Sequence, residues 1–485
     1  FEKPVPVLKL EKTDQLTQYE VDKRVQEKKI KKQTDDIKSK NRRGFHQVVK
    51  GDFNKKPIPI DSSENNLIDS SKTISRPNLF NFEPQISRNY YVQFNVNKLI
   101  TQADFSFLNT SYQQFTGDDS PIYLNSGMNT LIMVGINDLF ENYRITAGFR
   151  LPLFYSGSEI MLSYEDLSKR VDKQYIAYRQ SIQQSIDYRY VKQINNSFFV
   201  IYKFPLDKFR SFRFTIKARH EKFIESSLSD QTLKKPTSLS YWTGGKFEYV
   251  FDSSKELYMN LWRGTKCKVF VEYDYKIADT SKNLIVLGID YRKSVKIYRN
   301  ITWATRFAAS TNFGTSRLVY YMGGVDNWIN PTFNSDIYVD RTKNYHYQTL
   351  ATNLRGFDQN VRNGTSFVLL SSELRIPFVQ LLAKRKISSE FFNSMQLVTF
   401  FDIGTAWTGL TPYSEDNGLY IRYITSGNIT AIVTRQVDPW VMGIGLGLRA
   451  NLFSYFIRFD YSWGIEDFRF ANPDGMYMIS IGTDF

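Results

Sequence analysis

The stretch Tyr455-Phe456-Ile457-Arg458-Phe459-Asp460-Tyr461-Ser462-Trp463-Gly464 decides the fold. Successive side chains of a β-strand point to opposite faces. Tyr455, Ile457, Phe459, Tyr461 and Trp463 therefore share one side, and Arg458, Asp460 and Ser462 share the other. A helix would scatter both sets around its axis. Just before it, Met442, Ile444, Leu446 and Leu448 oppose Gly443, Gly445, Gly447 and Arg449. The last stretch sets Tyr477, Ile479, Ile481 and Phe485 against Ser480, Gly482 and Asp484.

Working backwards, the same period of two recurs as far as residue 89. Phe212, Phe214 and Ile216 oppose Arg213, Thr215, Lys217 and Arg219, and Val269, Val271, Tyr273 and Tyr275 oppose Lys268, Glu272, Asp274 and Lys276. An ordinary antiparallel sheet packed on a core also has one apolar face. Here the apolar face is rich in aromatics over segments of about ten residues, and the other carries long charged side chains, which is how a lipid-facing wall and a wet lumen divide. The spacing predicts sixteen strands, starting near residues 90, 130, 143, 157, 172, 190, 211, 241, 264, 283, 301, 366, 393, 439, 454 and 474. The first, fourth, sixth and seventh odd-numbered connections are long. Most even-numbered ones are tight turns, such as Phe140-Glu141-Asn142 and Asn451-Leu452-Phe453. Long loops on one rim and short turns on the other mark a membrane barrel. Lipid offers no hydrogen bonds to an open edge, so the terminal strand, with Tyr477, Ile479, Ile481 and Phe485 outward, is expected to close on the first. The fold class is thus all-β, a sixteen-stranded antiparallel transmembrane β-barrel over residues 86–485.

Composition agrees. The 485 residues include 31 Tyr and 38 Phe at a mean hydropathy of −0.39, and no apolar run reaches the ~18 residues of a membrane helix. Residues 1–85 differ in kind, being Lys/Gln/Asp-rich and then Pro/Ser/Asn-rich, and read as a basic, largely extended or disordered segment or linker. Residues 1–60 carry 16 Lys/Arg against 9 Asp/Glu, half of the net charge of +14. Such an arm suits anionic lipid or an acidic protein subunit. Without interleaved aromatics or a binding motif, no nucleic-acid partner is expected. The chain starts at Phe1 with no apolar leader, so a longer precursor is expected if the protein is exported.

One cysteine, Cys267, rules out an internal disulfide framework. His46, His220 and His346 are too scattered for a metal centre or a triad, and no Gly-x-Ser-x-Gly elbow occurs. The reading is of a non-enzyme without metal or cofactor.

The sixth long loop, about 316–365, contains Met322-Gly323-Gly324-Val325-Asp326-Asn327-Trp328 and then Leu354-Arg355-Gly356-Phe357. After it come Ser371-Ser372-Glu373-Leu374-Arg375-Ile376-Pro377 and Phe401-Asp402-Ile403-Gly404. Parity puts Glu373 and Asp402 on the inner wall, where Gly404, Gly443, Gly445 and Gly447 remove side chains and let a loop approach the backbone. An arginine reaching inward can then make bidentate, charge-assisted contacts with the two carboxylates. Val398 and Phe400 fall on the same inner face.

In this order the motifs resemble the outer-membrane assembly-factor superfamily, also called the bacterial surface-antigen family, specifically over residues 322–485. The resemblance implies a sixteen-stranded barrel in the outer membrane of a Gram-negative cell, with both termini on the periplasmic side. It also implies that loop six folds into the lumen with its motif Arg355-Gly356-Phe357, Arg355 engaging acids that match Glu373 and Asp402. The implied activity is insertion of proteins into the outer membrane, or their passage across it, without nucleotide. The barrel and aromatic style suggest a member of the Bacteroidota type. Residues 1–85 lack the apolar strands of a transport-associated domain, and Gly323-Gly324 lies about thirty residues before Arg355, further than usual in the family. A non-catalytic barrel serving as anchor or platform for other subunits stands beside the export reading, with outer-membrane lipid the partner in both.

Deleting residues 1–60 is expected to leave the barrel folded, shown by retained heat-modifiable mobility on gels. Loss of insertion would make the arm structural.

Overall fold

The computed structural model describes residues 92–109, 112–115, 128–152, 156–186, 189–227, 237–340, 343–383, 387–415, 417, 419–426, 429–434 and 437–484. The basic segment 1–85 and Phe485 lie outside the described residues.

Among the described residues, sixteen antiparallel strands pair in chain order without a break, with two short strands, Lys255–Tyr258 and Arg469–Phe470, paired beside them. The first half of the sixteen comprises β1 (Phe94–Asp104), β2 (Asn129–Asp138), β3 (Tyr143–Pro152), β4 (Ser156–Asp166), β5 (Asp172–Ile186), β6 (Arg189–Pro205), β7 (Arg210–Ser227) and β8 (Ser238–Asp252). The second half comprises β9 (Leu261–Lys276), β10 (Asp279–Tyr298), β11 (Ile301–Phe313), β12 (Ser366–Ile376), β13 (Gln396–Trp407), β14 (Val441–Leu452), β15 (Tyr455–Glu466) and β16 (Met476–Ile481). Burial alternates along them. On β15, Phe459 and Tyr461 are exposed while Arg458, Asp460 and Ser462 are buried. The apolar face is thus the outer one.

The longest connections, β1–β2, β11–β12 and β13–β14, lie at one end, the loop end. At the turn end, β14 and β15 join through Phe453 and Ser454, both at positive φ (51° and 68°), matching the twist of a two-residue hairpin. The β12–β13 connection carries two helical turns, Phe378–Leu382 and Glu390–Ser394. At the loop end, the sixth connection runs from β11 to β12.

Loop six does not trail outside. Its segments Arg317–Met322, Tyr345–Leu350 and Arg362–Gly364 form a small sheet, joined by Gln113–Gln114 from loop one. Leu318, Tyr320, Met322, Tyr347, Leu354 and Phe357 of loop six belong to one cluster with Trp242, Phe270, Leu284, Val286, Phe367 and Leu369 of the inner wall. The inner wall divides into two parts. Around β3–β9 the wall keeps buried ion pairs, such as Arg150 with Glu159 at 2.9 Å. Next to loop six it carries a core instead, because inward apolar side chains there have a partner to exclude water with.

The expected ladder between β16 and β1 is not present among the described residues. β16 is only six residues long, and its outer edge is occupied from another direction. Ile329 N donates to Ile479 O at 3.0 Å, Ile481 N donates to Asn327 O at 3.3 Å, and Trp328 bridges Ser480. A three-residue segment of loop six thus stands where a neighbouring strand would. β1 comes near this region through Ala103 N, which donates to Tyr455 Oη at 3.0 Å.

The turn end is tied across the lumen. Asn260, in the turn before β9 and at φ 62°, donates from Nδ2 to Asp484 Oδ2 at 2.9 Å and accepts the Asp484 amide at Oδ1, also at 2.9 Å. Arg375 Nη1 donates to the Asn260 carbonyl at 3.0 Å. Asn260→Ala is expected to speed hydrogen exchange at the Asp484 amide at least about tenfold, by removing a buried acceptor. An unchanged rate would show that the tie does not hold this end.

Candidate functional site

Strand parity carries Ser371, Glu373 and Arg375 to the inner face of β12, and Val398, Phe400 and Asp402 to that of β13. Register then sets Ser371 opposite Asp402, and Glu373 opposite Phe400. The result is a cup with two acids, a hydroxyl and an aromatic floor.

Arg355 fills this cup. Its Nε donates to Asp402 Oδ2 at 2.7 Å and its Nη2 to Asp402 Oδ1 at 2.8 Å, a bidentate fork. Nη1 donates to Glu373 Oε1 at 2.7 Å, and Nη2 also reaches Ser371 Oγ at 3.3 Å. Ser371 Oγ in turn donates to Asp402 Oδ1. The guanidinium carbon sits 3.7 Å from the centre of the Phe400 ring, in a cation–π contact. Arg355, Glu373 and Asp402 are at most 4% exposed.

The glycines explain how a main chain comes so close. A Cβ on Gly443 would overlap the Arg355 carbonyl oxygen, and one on Gly464 would stand 2.6 Å from the Phe357 ring. Gly356 turns at φ 93°, a conformation that favours glycine. Gly404 lies under Met322 and Leu354. Gly445 and Gly447 are used differently: Gly445 makes room for the Phe400 ring, and Gly447 for the side chains of Asp460 and Arg449. Tyr477 and Ile479 face outward and exposed, Ile481 is half-buried, and none touches the lock.

The lock continues into two neighbouring systems. Glu373 also accepts from Arg375 Nε at 2.9 Å, and Arg375 holds the Asn260 carbonyl. Arg449 Nε donates to Asp484 Oδ2 at 2.9 Å, and its Nη1 lies 2.8 Å from Asp460 Oδ1. A chain of alternating charges therefore runs from loop six to the turn end. In the other direction, Leu354 N donates to Gly324 O at 3.1 Å, and Gly324 N to Phe357 O at 3.0 Å. The glycine pair, distant in sequence, thus lies beside Arg355, three residues before the segment Asn327-Trp328-Ile329 that pairs with β16. Arg458 Nη2 fixes that segment's start by donating to Asp326 O at 2.6 Å.

Sequence reasoning missed Phe400, Ser371, Asn260 and the pairing of Asn327-Trp328-Ile329. Ser371 and Phe400 share parity with the acids, which was the signal available for them. Of the three histidines, His46 lies outside the described residues, His346 Nε2 lies 3.1 Å from Glu221 Oε2 inside the wall, and His220 faces outward beside Asn196.

No family model matches the chain, and no curated protein matches it significantly. Similar solved structures include BamA from Haemophilus ducreyi lacking POTRA domains 1–3, with TM-score 0.46 and 14% identity over 74% of this chain and 68% of that one. Two others are CdiB from Acinetobacter baumannii (TM-score 0.42, 12% identity, 74% of this chain and 57% of that one) and CdiB from Escherichia coli (TM-score 0.42, 10% identity, 79% and 67%).

Removing one partner from a buried, hydrogen-bonded charge cluster costs about 3–5 kcal/mol. Arg355→Ala is therefore expected to release loop six and abolish the heat-resistant mobility of the folded band. Arg355→Lys should fail nearly as badly, lacking the fork, and wild-type mobility in both would show the cup to be dispensable. Gly443→Ala, which pushes on the Arg355 carbonyl, is expected to lower the temperature of the mobility shift by several degrees.

Proposed function

We propose that this protein is an outer-membrane barrel of the assembly-factor superfamily, which inserts proteins into the membrane or passes them across it. The observation that carries this reading is the coupling of a buried arginine lock to the seam. Arg355 holds loop six inside, and through Gly324 the same loop supplies the segment that occupies the edge of β16. The turn end faces the periplasm and the loop end the cell exterior.

The chemistry needs no nucleotide. The Ile479 carbonyl and the Ile481 amide, which point away from β15, are held by two residues of loop six, Ile329 and Asn327. An incoming strand can exchange for them bond for bond, at little net cost. When loop six shifts, the short β16 presents a free edge, and an edge in lipid must be re-paired. The client's own strand does so. Arg355 sets how readily the segment leaves.

A second reading, a non-catalytic anchor or platform for other subunits, is favoured by the filled lumen, where loop one and loop six pack together against the wall. The two separate on whether the seam must open.

Trp328 and Ser480 form a non-hydrogen-bonded antiparallel pair, where Cα atoms approach to about 4.5 Å and a disulfide fits. Trp328→Cys with Ser480→Cys is expected to cross-link on oxidation and to stop insertion of a small eight-stranded outer-membrane barrel protein into proteoliposomes, with recovery on reduction. Full activity of the cross-linked protein would favour an immobile seam, and no insertion by the wild type would favour the platform.

A further inference from the structure

The outer faces of β11, β12, β13, β14 and β15 carry no charged side chain. The wall formed by β5–β8 breaks that rule. Arg179, Asn196, His220 and Tyr241 stand in one row across these four strands, each paired in register with the next. Asn196 Nδ2 lies 3.2 Å from His220 Nδ1, and the His220 ring stacks on Tyr241 with centroids 4.8 Å apart. Asn196, His220 and Tyr241 are therefore held in place by their own contacts.

Two residues nearer the loop end, Lys222 stands between Ile194 and Leu239, and beyond it Lys192 lies between Gln183 and Ile224. Among the described outward residues of β4–β8 from this row upward there are three cations and no carboxylate. Just below the row, Ala177 and Ala218 flank Phe198, and their small side chains leave a shallow dent of about 520 Å³ bordered by Ile160, Leu162 and Ile277.

Height places these groups. Eight residues separate His220 from Phe212, which lies near the turn end of β7. At ~3.3 Å per residue and a tilt of ~45° that is about 19 Å along the membrane normal. Lys222 then stands at about 23 Å, and Lys192, counted from Phe204, at about 28 Å. The apolar band of such a barrel is about 25 Å tall. The polar row thus lies just inside the outer boundary, the lysines at it, and the dent beneath. Charges on a lipid-facing wall are unfavourable unless something answers them, and a phosphate at the boundary answers three cations and two ring or amide donors at once.

We propose that this face of β5–β8 binds a phosphorylated lipid of the outer leaflet, its phosphate held by Arg179, Lys192 and Lys222 with Asn196 and His220, and an acyl chain laid in the dent beside Phe198. The proposal rests on the outer-membrane reading above. It does not depend on what loop six does.

The test is native mass spectrometry of the full chain in dodecyl maltoside, titrated with diphosphoryl lipid A and with the same lipid stripped of both phosphates. The wild type is expected to retain the phosphorylated form and to bind the stripped form about tenfold or more weakly. Arg179→Gln/Lys192→Gln/Lys222→Gln is expected to lose the same factor while keeping its heat-modifiable mobility. Ala218→Phe fills the dent and leaves Lys192 and Lys222, which do not line it, in place, and is expected to weaken both lipids. Equal binding of the two lipids, or wild-type affinity in both variants, would overturn the proposal. So would co-purification of an acidic protein in place of lipid, lost in the triple variant. Membrane fractionation separately tests the outer-membrane placement, so that failure of one reading is distinguishable from failure of the other.

Discussion

A guanidinium buried against two carboxylates is tolerable only when every one of its partners is in place. Arg355 meets that condition with a fork to Asp402, a single bond to Glu373 and the face of Phe400. Because the cup is built on the paired strands β12 and β13, its geometry is set by strand register rather than by loop conformation. The loop brings one side chain to a site that already exists. That makes the interaction strong while docked and lost all at once when withdrawn, which suits a part meant to occupy discrete positions.

The surrounding wall follows from this. Gly443 and Gly464 clear space for main chain, and Gly445 clears space for the Phe400 ring. Inward apolar residues of β8–β13 find partners in loop six instead of water. The seam is linked to the same element, since Gly324 bonds to both sides of Arg355 and leads directly to Asn327-Trp328-Ile329 on the edge of β16. Lock, lumen core and seam are three consequences of one loop lying inside.

Much of this was legible in the sequence because strand parity is local and unforgiving. The alternation of β14, β15 and β16 could be read residue by residue, and so could the inward direction of Glu373 and Asp402. Phe400 was visible on the inner face but looked like an interruption of a polar wall, since nothing local says that a cation will lie over it. The pairing of Asn327-Trp328-Ile329 with β16, and of Asn260 with Asp484 across more than two hundred residues, had no sequence signature. Such contacts depend on how the sheet curls, which is a sum over every register in it. The small lumen sheet was missed for the same reason: Gln113–Gln114 and Tyr345–Leu350 are too short to announce themselves.

The most direct measurement is an electron cryomicroscopy map of the full chain in a lipid nanodisc, read at loop six. The account predicts guanidinium density between Glu373 and Asp402, stacked on Phe400, with Asn327-Trp328-Ile329 along β16. Density placing Arg355 in the solvent outside the barrel, with β16 laddered directly to β1, would contradict it.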